Sequence, residues 1–409
     1  MGIFDFFTNK KEKRSYNFGP GSGMLFNNSR SGVKVDEKTS VGLTAVWASV
    51  RLLSETIASL PLNVYKKEAN GSKHVDDNNP INDLISIAPS PNYTSYTWRE
   101  TMMNSLLLFG NAYACIHRNG GAKPVALEFL NPKEVEPFVN DQDKLIYYNY
   151  KGEIKSAAEM LHIVGFSFDG LVGKSPIQAC KDAVGIGLAS QEFGSNFFGQ
   201  GANLSGVLEH PGRLSDEAAN RLRVSWNERF AGIHNSHQTA ILEEGVKFTP
   251  IGMPLADAQF IETRRFSVEE VARIFRVPPH MIGDLSRSTY SNIEQQSMDY
   301  ARYSLQPYLV NWEQELNRKL LSEKERKSNY FKFRTNELLR ADANSRADYY
   351  RKLFEVGALS PNEIRSMEDM NAIQDGDEHF VPLNLGQVGK ETETETNQTN
   401  IKKDGKENK

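Results

Sequence analysis

The sequence predicts an α+β fold made of long amphipathic helices and short antiparallel strands. Three observations lead there. Val46, Val50, Leu53, Ile57 and Leu60 recur at steps of four and three, an apolar helical stripe. Short β-type runs crowd the stretch from Ala112 to Tyr148, separated by turn residues. Two further helical patterns, 176–198 and 256–275, bracket a small mixed module.

Taken in order, the first helix stops at Pro61, and Leu62 to Tyr65 reads as a strand. Thr97 with Glu100 forms a capping box ahead of Met102-Met103 and Leu106 to Phe109. Gly110 ends that helix, and Ala112 to His117 alternates as a strand. Val125 to Leu130, Val135 to Val139 and Leu145 to Tyr148 follow, broken by Asn131-Pro132 and Asn140-Asp141. The first 170 residues thus read as an α+β domain with an antiparallel sheet. Ser175-Pro176-Ile177-Gln178 supplies an N-cap, a proline at N1 and a glutamine at N3, starting a helix that runs to about Phe198. Gly185, Gly187 and Gly194 lie along it, each costing about 1 kcal/mol relative to Ala. Either they permit close approach to a neighbour, or the helix is locally irregular.

Residues 202–254 form the module. Ser205 to Leu208 reads as a strand, Ser215 caps a helix through Phe230, and Thr239 to Leu242 and Val246 to Phe248 are strands. The helix 256–275 carries Arg264, Arg265 and Arg273, with Arg276 just beyond, beside Glu262, Glu269 and Glu270; Val277-Pro278-Pro279 breaks it. A polar loop precedes a second capping box, Ser291 with Glu294. The next helix places Ala301, Leu305, Tyr308, Trp312, Leu316 and Leu320 on one face, and Pro307 should kink it. Tyr330 to Phe333 is a strand. Two helices close the chain, the second opened by Ser360-Pro361-Asn362-Glu363. Residues 8–40 and 387–409 have too few apolar anchors to offset their ordering entropy.

Composition narrows the chemistry. A chain of 409 residues with 39% hydrophobic residues buries a core without disulfide staples. Two cysteines, Cys115 and Cys180, exclude a disulfide scaffold and the usual zinc ribbons, and suit a reducing cytoplasm. No apolar run reaches the roughly 18–20 residues of a membrane span. A formal net charge of −4 gives no global basic excess for tight nucleic-acid binding. Gly173-Lys174-Ser175 imitates the end of a phosphate-binding loop, but Phe168 stands where the motif needs its first glycine. Gly185-Ile186-Gly187 lies inside a helix and not between strand and helix, so it is no dinucleotide fingerprint. His234 and His237 have no partner spaced to complete a metal site, and no Gly-x-Ser-x-Gly elbow occurs. No enzymatic chemistry and no cofactor are expected. From composition alone, the arginine-bearing helix is a solvated, salt-bridged face.

Pro278-Pro279-His280-Met281-Ile282-Gly283-Asp284, continued by Ser288-Thr289-Tyr290-Ser291-Asn292-Ile293-Glu294-Gln295-Gln296, resembles the portal proteins of tailed double-stranded DNA bacteriophages, the HK-ninety-seven-like family. Other stretches agree in the same order: Val46 to Leu53, Ser59 to Leu62, Arg99 to Met102, Leu107 to Tyr113, Gly173 to Ile177, Phe197 to Gly201 and Gly357 to Arg365. The match spans roughly residues 40–385, and the collinear set is specific where no single piece is.

The resemblance implies a portal-type subunit with an α+β wing, a two-helix stem, a small α/β clip and a helical crown, assembled into a ring, usually of twelve. Its parts map as a flexible N-terminal arm at 1–39, wing at 40–175, stem helix at 176–200 and clip at 201–254. The second stem helix follows at 255–277, the tunnel loop at 278–291 and the kinked helix with a wing strand at 292–340. Crown helices at 341–386 and a disordered tail at 387–409 complete it. The implied tunnel-loop residues are Asp284, Ser286, Arg287, Ser288, Thr289, Tyr290, Ser291 and Asn292. Arg264, Arg265, Arg273 and Arg276 are candidates to face the channel. Trp226 and Phe230 either anchor a partner on the clip or form its own small core. Implied partners are further copies of the chain, double-stranded DNA passing without sequence readout, the large terminase subunit, a head–tail adaptor, and major capsid and scaffolding proteins. No membrane is expected. Implied locations are the virion's portal vertex and, during assembly, the host cytoplasm. A nucleotide-driven packaging enzyme and a monomeric capsid-assembly scaffold are the competing readings.

Overall fold

The computed structural model describes residues 29–68, 72–199, 206–230, 245–250, 256–285, 296–335, 343–368 and 370–380. They divide into two units, one up to Glu337 and one from Leu338. Among the described residues no helix is long and apolar enough to cross a membrane.

The first unit begins earlier than expected. Residues 29–39 are packed, with Val35 fully buried, and Asp36 caps the short helix α1, Glu37–Ser40, in a capping box with Thr39. Arg30 pairs with Asp182, through its backbone N–H at 3.0 Å and its guanidinium at 3.5 Å. The helical stripe folds as α2, Thr44–Ser59, with Val46, Val50, Leu53 and Ile57 buried. Strand β1, Leu62–Lys67, follows, then β2, Lys73–Val75, and the helix α3, Pro80–Ser86, which the sequence reading missed. Helix α4, Ser95–Phe109, starts before the anticipated Thr97 box: Thr94 is the N-cap, accepting from the Thr97 N–H. The earlier start is enforced from outside, because the Ser95 hydroxyl donates to the Ile85 carbonyl and Trp98 must be buried.

The antiparallel sheet is three small sheets. In the first, β1 lies between β2 and β11, Asn329–Phe333, with Leu62 opposite Phe333. In the second, β3, Asn111–Arg118, lies between β4, Pro124–Leu130, and β8, Met160–Val164. Here the expected alternation fails, because Asn111 to Ile116 are all buried, as suits a central strand covered on both faces. The third comprises β5, Val135–Val139, β6, Ile146–Tyr150, and β7, Glu153–Ser156. Tyr113, Cys115, Leu130, Val135, Tyr148 and Met160 form one core cluster between the second and third sheets.

Helix α5, Pro176–Ala179, has the anticipated cap, with the Ser175 hydroxyl accepting from the Gln178 N–H. The helix does not continue unbroken. Cys180 departs from helical geometry, and α6 restarts at Lys181–Gly199. Long-range contacts set its new direction: Arg30 holds Asp182, and Gly185 lies directly against Ser29. The glycines at 185 and 187 do allow close approach, and the neighbours belong to this same chain. A Cβ on Gly187 would sit 2.8 Å from Leu43 and 3.6 Å from Ser267.

In the module, β9, Gly206–Glu209, pairs antiparallel with β10, Lys247–Pro250, and α7, Asp216–Phe230, lies between them in sequence. Ser215 caps α7 as expected. The strand anticipated at Thr239 to Leu242 and the box at Ser291 and Glu294 lie outside the described residues. Helix α8 spans Ala256–Phe275, and the pairing of Gly206 with Pro250 sets side by side the strand ends nearest α6 and α8.

Pro307 follows a π-helical turn, Tyr300–Leu305, in which the Gln306 N–H reaches the Ala301 carbonyl. A wider turn upstream makes room for a ring with no N–H. Helix α9, Gln306–Leu320, then buries Leu309, Trp312, Leu316 and Leu320; Leu309, and not the half-buried Tyr308, occupies the inner face. The same helix closes a sheet edge. Asn317 Oδ1 accepts the Phe331 N–H at 2.9 Å and Glu313 Oε1 accepts the Phe333 N–H at 3.0 Å. One helical turn thus matches the two-residue repeat of β11, which removes an exposed edge.

The second unit holds α10, Ala343–Glu355, and α11, Pro361–Met367. Ser360 and Glu363 make the predicted capping box. Asn362 staples the following segment, donating to the Ile373 carbonyl at 3.0 Å and accepting the Ile373 N–H at 2.8 Å. The tail at 387–409 lies outside the described residues.

Candidate functional site

The helix pair α6–α8 is the element on which the arginine candidates fall. Its seam forms because α6 presents Gly187 to Ser267 of α8, while Val271, Ala272 and Phe275 are also buried. The helical period then leaves Glu262, Arg264, Arg265 and Arg273 exposed. Among the described residues neither Arg264 nor Arg265 forms an ion pair. Arg273 differs. Its guanidinium pairs with Glu270 and, at 3.4 Å, with Glu269, and stands 5.7 Å from the Phe266 ring centroid. Arg276 terminates the helix in a left-handed conformation, φ 58°, with the Val277 N–H returning to the Ala272 carbonyl. Such a C-terminal motif usually takes glycine. Here the Arg276 carbonyl is held by the Ser304 hydroxyl, and its side chain is exposed.

Beyond it, a 3-10 turn over Pro279–Ile282 ends at Gly283, φ 96°. Of the expected tunnel-loop residues only Asp284 is described; Ser286, Arg287, Ser288, Thr289, Tyr290, Ser291 and Asn292 lie outside the described residues. The ends of that segment are anchored. His280 Nδ1 lies 2.7 Å from Gln296 Oε1, and Asp284 and Gln296 both line a cleft of about 630 Å³ shared with Arg273, Arg276 and Asp299. Three carboxylates, of Glu269, Asp284 and Asp299, and two guanidiniums line it, so both signs of charge are present.

The module's Trp226 is half-buried and stacks on Phe248 of β10, with ring centroids 5.4 Å apart and planes at 25°. This ties α7 to the β9–β10 pair, the internal role left open by the sequence. Phe230 closes α7, and its side chain is outside the described residues.

Sequence reasoning missed the junction that carries the chain from the sheets into α5 and α6. Asn111 is its hub: Oδ1 accepts the Gly173 N–H at 2.7 Å, and Nδ2 donates to the Gly173 carbonyl at 2.8 Å. Because Gly173 fixes Oδ1 as an acceptor, His162 Nε2, 3.0 Å away, must be the donor. Nδ1 is then free to accept from the Tyr148 hydroxyl at 3.2 Å. His162 is fully buried, and burial, reinforced by Lys319 and Arg318, lowers its pKa to about 3. No motif marks this cluster, whose members lie on separate strands and a loop.

A pH dependence follows. Unfolded, His162 titrates near 6.5, and folded it stays neutral to about 3, so acid favours the unfolded chain. The contribution is complete above about pH 6.5 and is lost as pH falls towards 3, at up to about 1.4 kcal/mol per unit. Between pH 6.5 and 5, this residue should take about 1.6 kcal/mol from wild type in urea unfolding. His162→Gln keeps a donor for Asn111 and should flatten that slope.

The comparisons with known proteins agree with this architecture. A family model described as phage portal protein matches residues 44–369. The chain is 36% identical over 380 residues to a probable portal protein of Streptomyces phage phiC31, covering 89% of this chain and 82% of that one. It is 33% identical over 352 residues to the portal protein of Enterobacteria phage HK97, covering 84% and 82%. It shares its fold with a chain in the neck of a native gene transfer agent particle, computed with C12 symmetry. There the TM-score is 0.54 and identity 21%, over 83% of this chain and 95% of that one. On a match that spans most of its length, the chain belongs to the phage portal protein family.

Proposed function

We propose that this chain is the repeating subunit of a ring, twelvefold in the particle, at one vertex of a phage head. DNA enters the head through its axial channel during packaging and leaves by the same route at infection. The terminase motor and later the head–tail adaptor dock on the module at 201–254, with capsid and scaffolding proteins around the ring. The protein assembles in the host cytoplasm and has no enzymatic activity of its own. Family membership supports the ring, as does a solved neighbour from a neck computed with C12 symmetry.

The observation that carries the conduit reading is the charge layout of α8. Each phosphate neutralised by a protein cation strengthens binding through counterion release, and six to ten such contacts give tight, salt-sensitive complexes. A sliding duplex needs far fewer. Arg273 is already committed to Glu269 and Glu270, leaving Arg264 and Arg265 as brief phosphate contacts on each subunit. Rotational symmetry copies them around the bore. In the tunnel loop, Ser286, Ser288, Thr289 and Ser291 are short and uncharged, and Arg287 adds one further ring of positive charge.

Electron microscopy of the purified protein viewed end on should show a closed annulus with a bore that admits B-form DNA. A chain that never closes, even beside its capsid components, overturns the reading. Ser288→Glu or Thr289→Glu should leave rings intact while sharply reducing the nuclease-protected DNA recovered from heads. If instead those variants fail to assemble, the loop is structural. Purified rings should hydrolyse no ATP above background.

A further inference from the structure

Residues 165–175, between β8 and α5, form a turn that holds two phenylalanines in solvent. Its base is nailed down: the Gly165 N–H donates to the Gly110 carbonyl at 2.8 Å and the Lys174 N–H to the Phe166 carbonyl at 2.7 Å. At its tip, Asp169 Oδ1 accepts the N–H groups of Leu171 at 2.8 Å and Val172 at 3.0 Å. Ser167 Oγ accepts the Gly170 N–H at 3.0 Å. Phe166 and Phe168 are 73% and 79% exposed, with Leu171 on the same turn at 40%. The two rings meet edge to face at 5.3 Å. A slack loop would fold such side chains onto itself; the bonded turn prevents that.

We propose that Phe166 and Phe168 form a rigid knob that inserts into an adjacent copy of this chain, an assignment that rests on the ring reading above. With about 200 Å² per aromatic side chain, the turn presents roughly 350 Å² of apolar surface. That is the size of the largest, often functional, patch on a typical monomer. It is also about half of the roughly 800 Å² that each partner brings to a stable interface. The remaining area must come from flanking surface, as it does between two large subunits. A convex pair cannot pack against its own counterpart, so it needs a differently shaped face to receive it. It suits the head-to-tail contact between unlike faces that closes a ring. Pre-organisation by the turn lowers the ordering cost of each contact, and the same turn leads directly into α5 and α6, so the knob is fixed to the framework.

The test is the double variant Phe166→Ser/Phe168→Ser in the full chain. Both side chains lie in solvent, so circular dichroism and the unfolding midpoint should match wild type. Native mass measurement should show ring formation displaced to roughly tenfold higher protein concentration or more, with Phe168→Leu alone close to wild type. Added to wild-type monomers, the double variant accepts a knob and donates none, so open arcs should replace closed rings. Closed rings at the wild-type concentration overturn the knob and leave the ring reading standing. Intact rings that no longer join the head overturn it too, by placing another capsid protein on the turn. A wild-type chain that never closes overturns both.

Discussion

Replacing Gly173 by Ala should destabilise the first unit by more than about 4 kcal/mol, against a total of roughly 5–15 kcal/mol for ordinary domains. An added Cβ would lie far inside van der Waals contact with the Gly110 carbonyl and 2.8 Å from the Gly165 nitrogen, both backbone atoms. No rotamer change relieves such a clash, so the backbone must move. Moving it pulls Gly173 away from Asn111, whose two hydrogen bonds to it are 2.7 and 2.8 Å long. It also strains the bond from the Ser175 hydroxyl to the Leu108 carbonyl, 2.7 Å. Overpacking alone costs about 1–3 kcal/mol, and each buried polar group left unpaired adds about 1–3 kcal/mol. Gly110→Ala should fail similarly, since Gly110 has φ 78° and its Cβ would strike the Lys174 backbone. Urea unfolding followed by tryptophan fluorescence reads the loss. A wild-type midpoint for Gly173→Ala would mean that the segments part freely and that the junction holds nothing.

That junction also shows where sequence reasoning stops. Helix α2 was legible because five apolar residues repeat at the helical period, and α11 because Ser360, Pro361 and Glu363 each signal a helix start independently. The pairing of Arg273 with Glu269 and Glu270 follows from i,i−4 and i,i−3 spacing, and the exposure of Arg264 and Arg265 from the period of α8. In the sequence Gly110 reads as a helix stop, and Gly173 as part of a stretch that imitates a phosphate-binding loop. Their contact leaves no mark in the sequence, since it joins points 63 residues apart, and the Asn111–Gly173 bonds span 62. The choice of Thr94 over Thr97 as N-cap was equally out of reach. Both are threonines, and the decision rests on Ser95 finding a carbonyl in another helix. The division into three sheets depends on β11 returning to β1 and on which strands share a core, which alternation within one strand does not encode. Of the proposed tunnel loop, the sequence supplies the composition, and the structure describes the flanking residues Asp284 and Gln296.

Trp312→Ala should cost about 3–5 kcal/mol, the range for deleting a large buried aromatic. Trp312 is fully buried, edge to face with Trp98 at 5.7 Å and with Phe333 at 6.5 Å. Its indole N–H points to the Met103 sulfur at 3.2 Å. It therefore joins α9 to α4 and to β11, the strand that completes the sheet begun by β1, and its loss opens a cavity where elements from both ends of the unit meet. Leu53, Ile57, Met102 and Phe333 around the core are themselves almost wholly buried, so collapse into the void would have to disturb well-packed neighbours. Trp98 makes an instructive contrast. Its Nε1 is buried with no hydrogen-bond partner among the described residues, a desolvated donor that already weighs against the folded state. Trp98→Phe removes that donor and keeps an aromatic ring, so it should lose less stability than Trp312→Phe, which gives up the sulfur contact as well. Equal losses in the two phenylalanine variants would show that ring volume alone governs this core, and that neither indole N–H affects its stability.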